Sequence, residues 1–96
     1  MLLVIAYDVD TTNKAGARRL RQVAKLCERN GMRVQNSVFE VLLDAAQIAA
    51  LKCELEKIIQ PETDSIRIYR LGNSYQNKIE VLGKAAPVQA GEPLLF

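Results

Sequence analysis

The sequence MRVQNSVFEVLL at residues 32–43 contains two β-rich segments that are separated only by Asn36 and Ser37. This spacing is typical of a β-hairpin or a bulged turn. We therefore expect two neighbouring antiparallel strands here, and the segments on either side of them decide how the fold is completed.

A helical pattern lies on each side of this hairpin. In residues 14–30, one buried face is predicted by apolar residues at helical spacing, namely Leu20, Val23, Ala24 and Cys27. The polar residues just before this pattern are all possible N-caps, namely Thr11, Thr12 and Asn13. After the hairpin, Asp44 and Gln47 form a capping-box pattern at the start of a second helix, and Pro61 marks its end.

Two further strand patterns flank the helices. Residues 2–7 are continuously apolar and end at Asp8, which is typical of a strand covered on both faces or by a partner. Residues 65–71 alternate with period two and predict a half-exposed strand. The resulting order predicts an α+β, ferredoxin-like βαββαβ sandwich. Residues 78–82 predict an extra C-terminal strand.

The length of 96 residues predicts one domain, which we assign to residues 1–82. Residues 83–96 show no periodicity and are expected to form a flexible tail. The first apolar run lacks a basic n-region and is too short to span a bilayer, so we expect no membrane association. Cys27 and Cys53 lack the spacing of a metal or redox motif, which favours two reduced core thiols and a cytoplasmic protein.

The chain contains no histidine. This composition excludes Ser-His and Cys-His catalysis, histidine-containing zinc fingers and imidazole proton shuttles. Any catalytic chemistry must therefore depend on carboxylates, hydroxyls, basic groups or a metal ion that prefers oxygen ligands.

The net charge of +2 conceals an uneven distribution. Residues 14–33 contain one acid, Glu28, and seven basic residues, namely Lys14, Arg18, Arg19, Arg21, Lys25, Arg29 and Arg33. Five of these, all except Arg19 and Arg33, fall within an arc of roughly 80° opposite the apolar face. A merely solvated face is the alternative, but the near absence of acids favours a polyanion-binding surface, with nucleic acid as the natural candidate. Few aromatic residues are present, which favours contacts to the backbone rather than base stacking.

Asp8 lies where the first apolar strand emerges into a polar loop. A rigid strand end can hold a carboxylate at the surface for metal binding, whereas the alternative is an ordinary turn aspartate. One carboxylate makes a poor magnesium site, but a two-fold dimer would supply a second copy. A divalent cation held there could activate water and polarise a phosphodiester. Asp10 is the rival ligand.

Several motifs together resemble the small CRISPR-associated endonuclease family over residues 1–82. They are Tyr7-Asp8-Val9 at the end of the first strand, the arginine-rich helix, Gly31, and the sequence RVQNSVFE at residues 33–40. The helix and the loop before it resemble members that accompany type I systems.

The resemblance implies a homodimer in which the extra C-terminal strand reaches the partner's sheet. It also implies that Asp8 is the catalytic and metal-binding residue, with one Mg²⁺ ion shared by the two Asp8 copies. Tyr7, Ser37 and Phe39 are the implied supporting residues. The nucleic-acid-binding residues expected from the resemblance and the charge pattern are Arg18, Arg19, Arg21, Lys25 and Arg33.

The function implied is a magnesium-dependent endonuclease that cleaves RNA or double-stranded DNA and acts in spacer acquisition for antiviral defence. The alternative is a non-catalytic dimeric scaffold that binds protospacer DNA and bridges Cas integrase dimers. A third hypothesis, a small-ligand regulatory domain on the same fold, predicts no affinity for nucleic acid.

Overall fold

Four strands and two helices follow one another in the order that the sequence predicts. The computed structural model describes residues 1–83, so the predicted tail lies outside the described residues except for Gly83. The elements are β1 (Leu2–Asp8), α1 (Lys14–Glu28), β2 (Gly31–Gln35), β3 (Val38–Leu42), α2 (Ala45–Ile58) and β4 (Ser65–Gly72).

The strands form one antiparallel sheet in the order β2-β3-β1-β4. The first strand is therefore central, between β3 and β4, and the two helical connections bring β4 to the edge opposite β2. The β2–β3 register shifts between Arg33 and Gln35, so the predicted hairpin carries the expected irregularity beside its short turn. This topology confirms the ferredoxin-like prediction.

Side-chain caps define where both helices begin. Of the three candidate N-caps of α1, Asn13 fulfils the role, because its Oδ1 accepts a hydrogen bond from the Gly16 backbone N–H at 2.7 Å. At α2 the predicted capping box is confirmed: Asp44 accepts from the Gln47 N–H at 2.8 Å, and the Gln47 side chain accepts from the Asp44 N–H at 2.9 Å. The first helix ends at Glu28, two residues before the predicted Asn30.

Both helices pack on the same face of the sheet. Leu3, Ile5 and Tyr7 of β1 point into the core on this side, together with Phe39 and Val41 of β3. The helices cover them with an apolar set that includes Leu20, Val23, Ala24, Cys27, Ile48, Leu51 and Leu55. The four α1 positions predicted to be buried are therefore confirmed.

The opposite side of the sheet, which neither helix covers, is here called the open face. Side chains alternate across a strand, so the residues between the core positions of β1 point to this side. By the strand register, the open face consists of Leu2, Val4, Ala6 and Asp8 of β1, Met32 and Gln35 of β2, Val38, Glu40 and Leu42 of β3, and Ser65, Arg67 and Tyr69 of β4.

The expected extra strand is absent from the single chain, and the prediction for one cysteine is wrong. Residues 78–82 form no strand; the chain leaves β4 at Gly72, and a turn closed by the Lys78 N–H to Tyr75 carbonyl bond follows. A strand exists only through pairing with a neighbour, and this segment pairs with none in the described chain. Cys27 is buried as expected, but Cys53 is exposed, because it lies on the side of α2 away from the apolar stripe.

Among residues 1–83, no helix has the length and apolar character needed to cross a membrane.

Candidate active site

Asp8 is the last residue of β1 and lies on the open face. Its preceding neighbour, Tyr7, points to the helices and is 2% exposed, whereas Asp8 itself is exposed. Asp8 lies opposite Ser65 in the sheet. Within residues 1–83 its carboxylate makes no hydrogen bond or ion pair, so it is free to bind a cation or a polar ligand.

The rival carboxylate, Asp10, is engaged within its own loop. Its Oδ1 accepts hydrogen bonds from the backbone N–H of Thr12 at 2.9 Å and from the Thr12 hydroxyl at 2.6 Å. These two bonds lower the pKa of Asp10. The local turn explains the conformation of Asp10 without a metal ligand.

A third aspartate, Asp64, is buried just before β4, although no local sequence pattern distinguishes it. Its side chain accepts hydrogen bonds from the Tyr7 hydroxyl at 2.5 Å and from Arg19, through Nε at 2.8 Å and Nη2 at 3.2 Å. The Gln60 backbone N–H and the Thr63 hydroxyl also donate to it, each at 3.0 Å. This cluster, which we call the Asp64 cluster, joins β1, α1 and the α2–β4 connection.

The electrostatics of the Asp64 cluster favour a charged carboxylate and a neutral phenol. Burial alone would raise the pKa of Asp64, but the donors from Arg19, Tyr7, Gln60 and Thr63 outweigh burial and hold that pKa well below its usual range. Burial, followed by donation to Asp64, raises the pKa of Tyr7 to about 12. Arg19 therefore faces a partner that stays ionised at neutral pH.

The β2–β3 turn also meets the end of β1. The Tyr7 backbone N–H donates to the Ser37 carbonyl at 2.9 Å, which brings the predicted Ser37 beside the strand end. Arg33 donates from Nε to the Asn36 carbonyl at 2.8 Å, and its guanidinium lies 5.8 Å from the centre of the buried Phe39 ring. The β2–β3 turn of this motif thus contacts the end of β1, one residue before Asp8.

The basic residues of α1 lie on the other layer of the molecule. The five that the helical wheel groups together are all exposed; we call Lys14, Arg18, Arg21, Lys25 and Arg29 the basic stripe. Because α1 packs its apolar face on the sheet, this stripe points away from the sheet and from Asp8. Arg19 is the exception among the helix arginines, since its side chain is only 19% exposed and is paired with Asp64.

One basic residue shares the open face with Asp8. Arg67 of β4 lies opposite Ala6, two residues along the strand from the Ser65 that faces Asp8. It is exposed, and no other basic residue occupies an open-face position in the four described strands. The period-two alternation of residues 65–71 was the signal that could have identified Arg67.

A single chain supplies one suitable carboxylate for a hard metal ion. The exposed Asp8 has the oxygen donors that Mg²⁺ prefers. In the described part of the chain, however, no three acidic, histidine or cysteine side chains come together as a metal site. Asp8 therefore fits Mg²⁺ as a partial site that needs ligands from outside the described residues, such as a second chain, water or substrate.

Comparison with known proteins agrees with this architecture. The family model described as "CRISPR associated protein Cas2" matches residues 1–79. The chain is 50% identical, over the full length of both proteins, to a "CRISPR-associated endonuclease Cas2" of Halalkalibacterium halodurans. It is 48% identical to a "CRISPR-associated endoribonuclease Cas2 3" of Rhodospirillum rubrum, with 99% of this chain and 100% of that protein covered.

Solved structures show the same fold. Streptococcus pyogenes Cas2, in a crystal structure at pH 6.5, superposes with a TM-score of 0.81 at 49% identity, covering 86% of this chain and 100% of the other. The hypothetical protein TT1823 of Thermus thermophilus superposes with a TM-score of 0.72 at 30% identity, covering 90% of this chain and 94% of the other. The family match over residues 1–79 and the identity of about half to named relatives, together with the shared βαββαβ fold, identify this chain as a member of the CRISPR-associated Cas2 family.

Proposed function

We propose that this protein is a metal-dependent endonuclease that hydrolyses phosphodiester bonds in RNA or double-stranded DNA, with Asp8 as its catalytic carboxylate. The observation that carries the proposal is the exposed Asp8 carboxylate, which has no partner within residues 1–83 and stands on the open face. The endonuclease and endoribonuclease names of its relatives support the same reaction class. In a CRISPR system, this activity would serve spacer acquisition in antiviral defence.

The proposed cofactor is one Mg²⁺ ion shared by the Asp8 carboxylates of two chains. When bound, a divalent cation supplies Lewis-acid chemistry and makes water more acidic. Asp8 would hold this ion at the surface, and two copies would reach the one or two carboxylates that Mg²⁺ sites commonly use. Without the ion, two like charges brought together would repel one another.

The chain's own residues would orient the substrate around this carboxylate. Arg67 is the basic residue nearest to Asp8 in the open-face register, and its guanidinium can donate two parallel hydrogen bonds to a phosphate. We therefore assign to Arg67 the stabilisation of negative charge on the phosphate. Tyr7, Ser37 and Phe39 keep the supporting role that we predict for them.

The open face supports a homodimer. Leu42 and Tyr69 are 53% and 48% exposed there, and Val4, Ala6 and Val38 are only partly covered. Exposed apolar side chains on one sheet face, here beside the charged Asp8, Glu40 and Arg67, favour association with another protein surface. A second copy would cover it and bring the two Asp8 residues to one interface, and residues 78–82 would then have a partner sheet on which to form the expected strand.

A non-catalytic scaffold is the second candidate function, and the basic stripe favours it. The stripe lies on the helix layer, with the sheet between it and the Asp8 of the same chain. A duplex bound along the stripe would therefore be held away from that carboxylate. In this role the dimer would bind protospacer DNA and bridge Cas integrase dimers.

Cleavage assays with an Asp8→Asn variant test the nuclease proposal. The wild-type protein, incubated with Mg²⁺, should cleave RNA or duplex DNA, whereas Asp8→Asn should lose at least about a hundredfold in rate while retaining nucleic-acid binding. Asp10→Asn is the matched control, because Asp10 is engaged with Thr12, and it should stay within about threefold of the wild type. Cleavage by Asp8→Asn at the wild-type rate would disprove the catalytic assignment.

Charge reversal tests the basic stripe. The triple variant Arg18→Glu/Arg21→Glu/Lys25→Glu should bind a labelled duplex much more weakly and with a smaller salt dependence. The control reverses two exposed bases on α2, Lys52→Glu/Lys57→Glu, and should change binding less. If the triple variant bound as tightly as the wild type, the stripe would not be the binding surface.

A further inference from the structure

Asp64 is the one buried charged side chain within residues 1–83. Its carboxylate is fully inaccessible to solvent, so it cannot contact a substrate or a metal ion. All five of its hydrogen bonds come from groups that converge on the end of the sheet where Asp8 lies.

The Asp64 cluster joins β1 and β4, the two strands in which Asp8 and Ser65 lie opposite each other. Tyr7 precedes Asp8 on β1, and its hydroxyl donates to Asp64. Ser65 follows Asp64 and lies opposite Asp8 in the register. The residue before Asp8 and the residue before its cross-strand partner are therefore joined by one hydrogen bond, on the side of the sheet opposite to Asp8.

Arg19 completes this arrangement from the helix. Its Nε and Nη2 atoms both contact Asp64, which fixes α1 relative to the β1 end. The loop over residues 9–13, which leads away from Asp8, is thus anchored at both of its ends. The pairing also occupies the guanidinium of Arg19, in contrast to the exposed Arg18 and Arg21 beside it.

We propose that Asp64 is a positioning residue that acts through Tyr7 to hold Asp8 in its working orientation on the open face. This inference rests on the proposed nuclease function of Asp8. A buried ion pair is in general weak support for stability, but it can impose one geometry on the elements that it joins. At a site that needs its carboxylate correctly placed, a small displacement lowers the rate of the chemical step more than substrate binding.

The test compares Tyr7→Phe and Asp64→Asn with a control that destabilises the protein elsewhere. Tyr7→Phe removes only the hydroxyl, and it keeps the test possible if Asp64→Asn does not fold. The control is Asp44→Ala, which removes the α2 N-cap and should lower the melting temperature without touching β1. All measurements are made well below the melting temperature of each variant.

Two readouts separate positioning from general stability. With Mg²⁺ and the nucleic acid that the wild type cleaves, Tyr7→Phe should lower kcat by about tenfold with KM unchanged, whereas Asp44→Ala should leave both near wild-type values. Independently of activity, amide hydrogen exchange at Asp8 should be faster in Tyr7→Phe and Asp64→Asn than in Asp44→Ala, when compared at equal loss of stability.

The outcomes are distinct for the two proposals. Unchanged exchange at Asp8 in both Tyr7→Phe and Asp64→Asn would overturn the positioning role, as would an unchanged kcat in Tyr7→Phe. If Asp8→Asn cleaved at the wild-type rate, the catalytic assignment would fail instead, and the exchange experiment would still decide whether Asp64 fixes the strand end.

Discussion

At the scale of single residues, the Asp64 cluster shows how a buried charge is tolerated in a small core. A carboxylate taken out of water is expensive unless its oxygens are fully hydrogen-bonded. Asp64 receives two bonds from the Arg19 guanidinium, one from the Tyr7 phenol and two from its own connection. Neutralising the Asp64 carboxylate would remove the negative charge to which all of these groups donate.

We predict that this residue makes the protein sensitive to acid. The pKa of the Asp64 carboxyl is lower in the folded than in the unfolded state, where it is 3.8. The charged carboxylate therefore contributes fully to the free energy of unfolding above pH 3.8, and this contribution is lost as the pH falls through the folded-state pKa. The difference in unfolding free energy between the wild type and Asp64→Asn should therefore shrink by about 1.4 kcal/mol per pH unit below that value. Urea unfolding of both proteins between pH 7 and pH 2.5 measures this difference in unfolding free energy, and a difference that stays constant with pH would contradict the prediction.

The sequence predicts Asp8 and Tyr7 as site residues but not Asp64. The first two stand at the visible boundary between an apolar run and a polar loop. Asp64 lies 57 positions from Tyr7, in a polar connection, and nothing local distinguishes it from an ordinary turn aspartate. Its burial follows from long-range packing, which single-sequence patterns do not report.

At the scale of elements, the loop after β1 depends on a close approach to α1. Gly16 is buried in the first turn of α1, and a Cβ atom there would overlap the Asp10 carbonyl oxygen and crowd Asn13. The absence of a side chain therefore lets the loop pass directly over the helix. This contact sets the path of the chain between Asp8 and the helix cap.

We predict that Gly16→Ala destabilises the protein by about 1–3 kcal/mol, although alanine is the better helix former. The added methyl group must displace loop backbone, which is not the flexible end of a side chain. Thermal unfolding measures the effect. Ala15→Ser, which adds one atom at the exposed neighbouring position, should change stability by less than about 0.5 kcal/mol. Equal stability of Gly16→Ala and the wild type would refute the close-approach argument.

The two faces of β4 allow a matched test of the phosphate-binding assignment. Arg67 lies on the open face with Asp8, whereas Arg70 lies opposite Leu3, whose side chain points to the helix side. We expect Arg67→Gln to lower kcat/KM for nucleic-acid cleavage by about tenfold or more, and Arg70→Gln to have little effect. Steady-state cleavage assays measure both variants, and equal losses would show that only the total charge of the strand matters.

Helix faces were easier to predict than sheet faces. The basic stripe follows directly from 100° per residue, and its five residues are exposed as expected. Residues 2–7 are apolar at every position, so the sequence leaves open whether two layers or a partner cover β1. In the structure the helices cover only one side of the sheet, so the other side forms a separate surface.

At the scale of the whole molecule, the protein has two surfaces of different chemistry on opposite layers. The helix layer presents the basic stripe, and the open face presents exposed apolar residues beside Asp8 and Arg67. Long-range electrostatic attraction would bring a polyanion to the helix side, while apolar association would use the sheet side. Salt should therefore weaken nucleic-acid binding more than self-association.

We predict that a charge placed on the open face prevents dimer formation. If two open faces associate as proposed, light scattering should give a dimeric mass for the wild type and a monomeric mass for Leu42→Glu at the same concentration, because the added carboxylate would be desolvated at the interface. Ala49→Glu, at an exposed position of α2, should remain dimeric. A dimeric Leu42→Glu variant with a wild-type dissociation constant would place the interface elsewhere.

Because successive side chains of β1 point to opposite sides of the sheet, the number of residues in this strand is also constrained. Deleting one residue between Leu3 and Tyr7 would exchange the sides of the sheet reached by the last two side chains. The phenol would then turn away from Asp64, and the Asp8 carboxylate would enter the apolar interior. Diverging homologues should therefore accept substitutions within this strand far more readily than single-residue insertions or deletions.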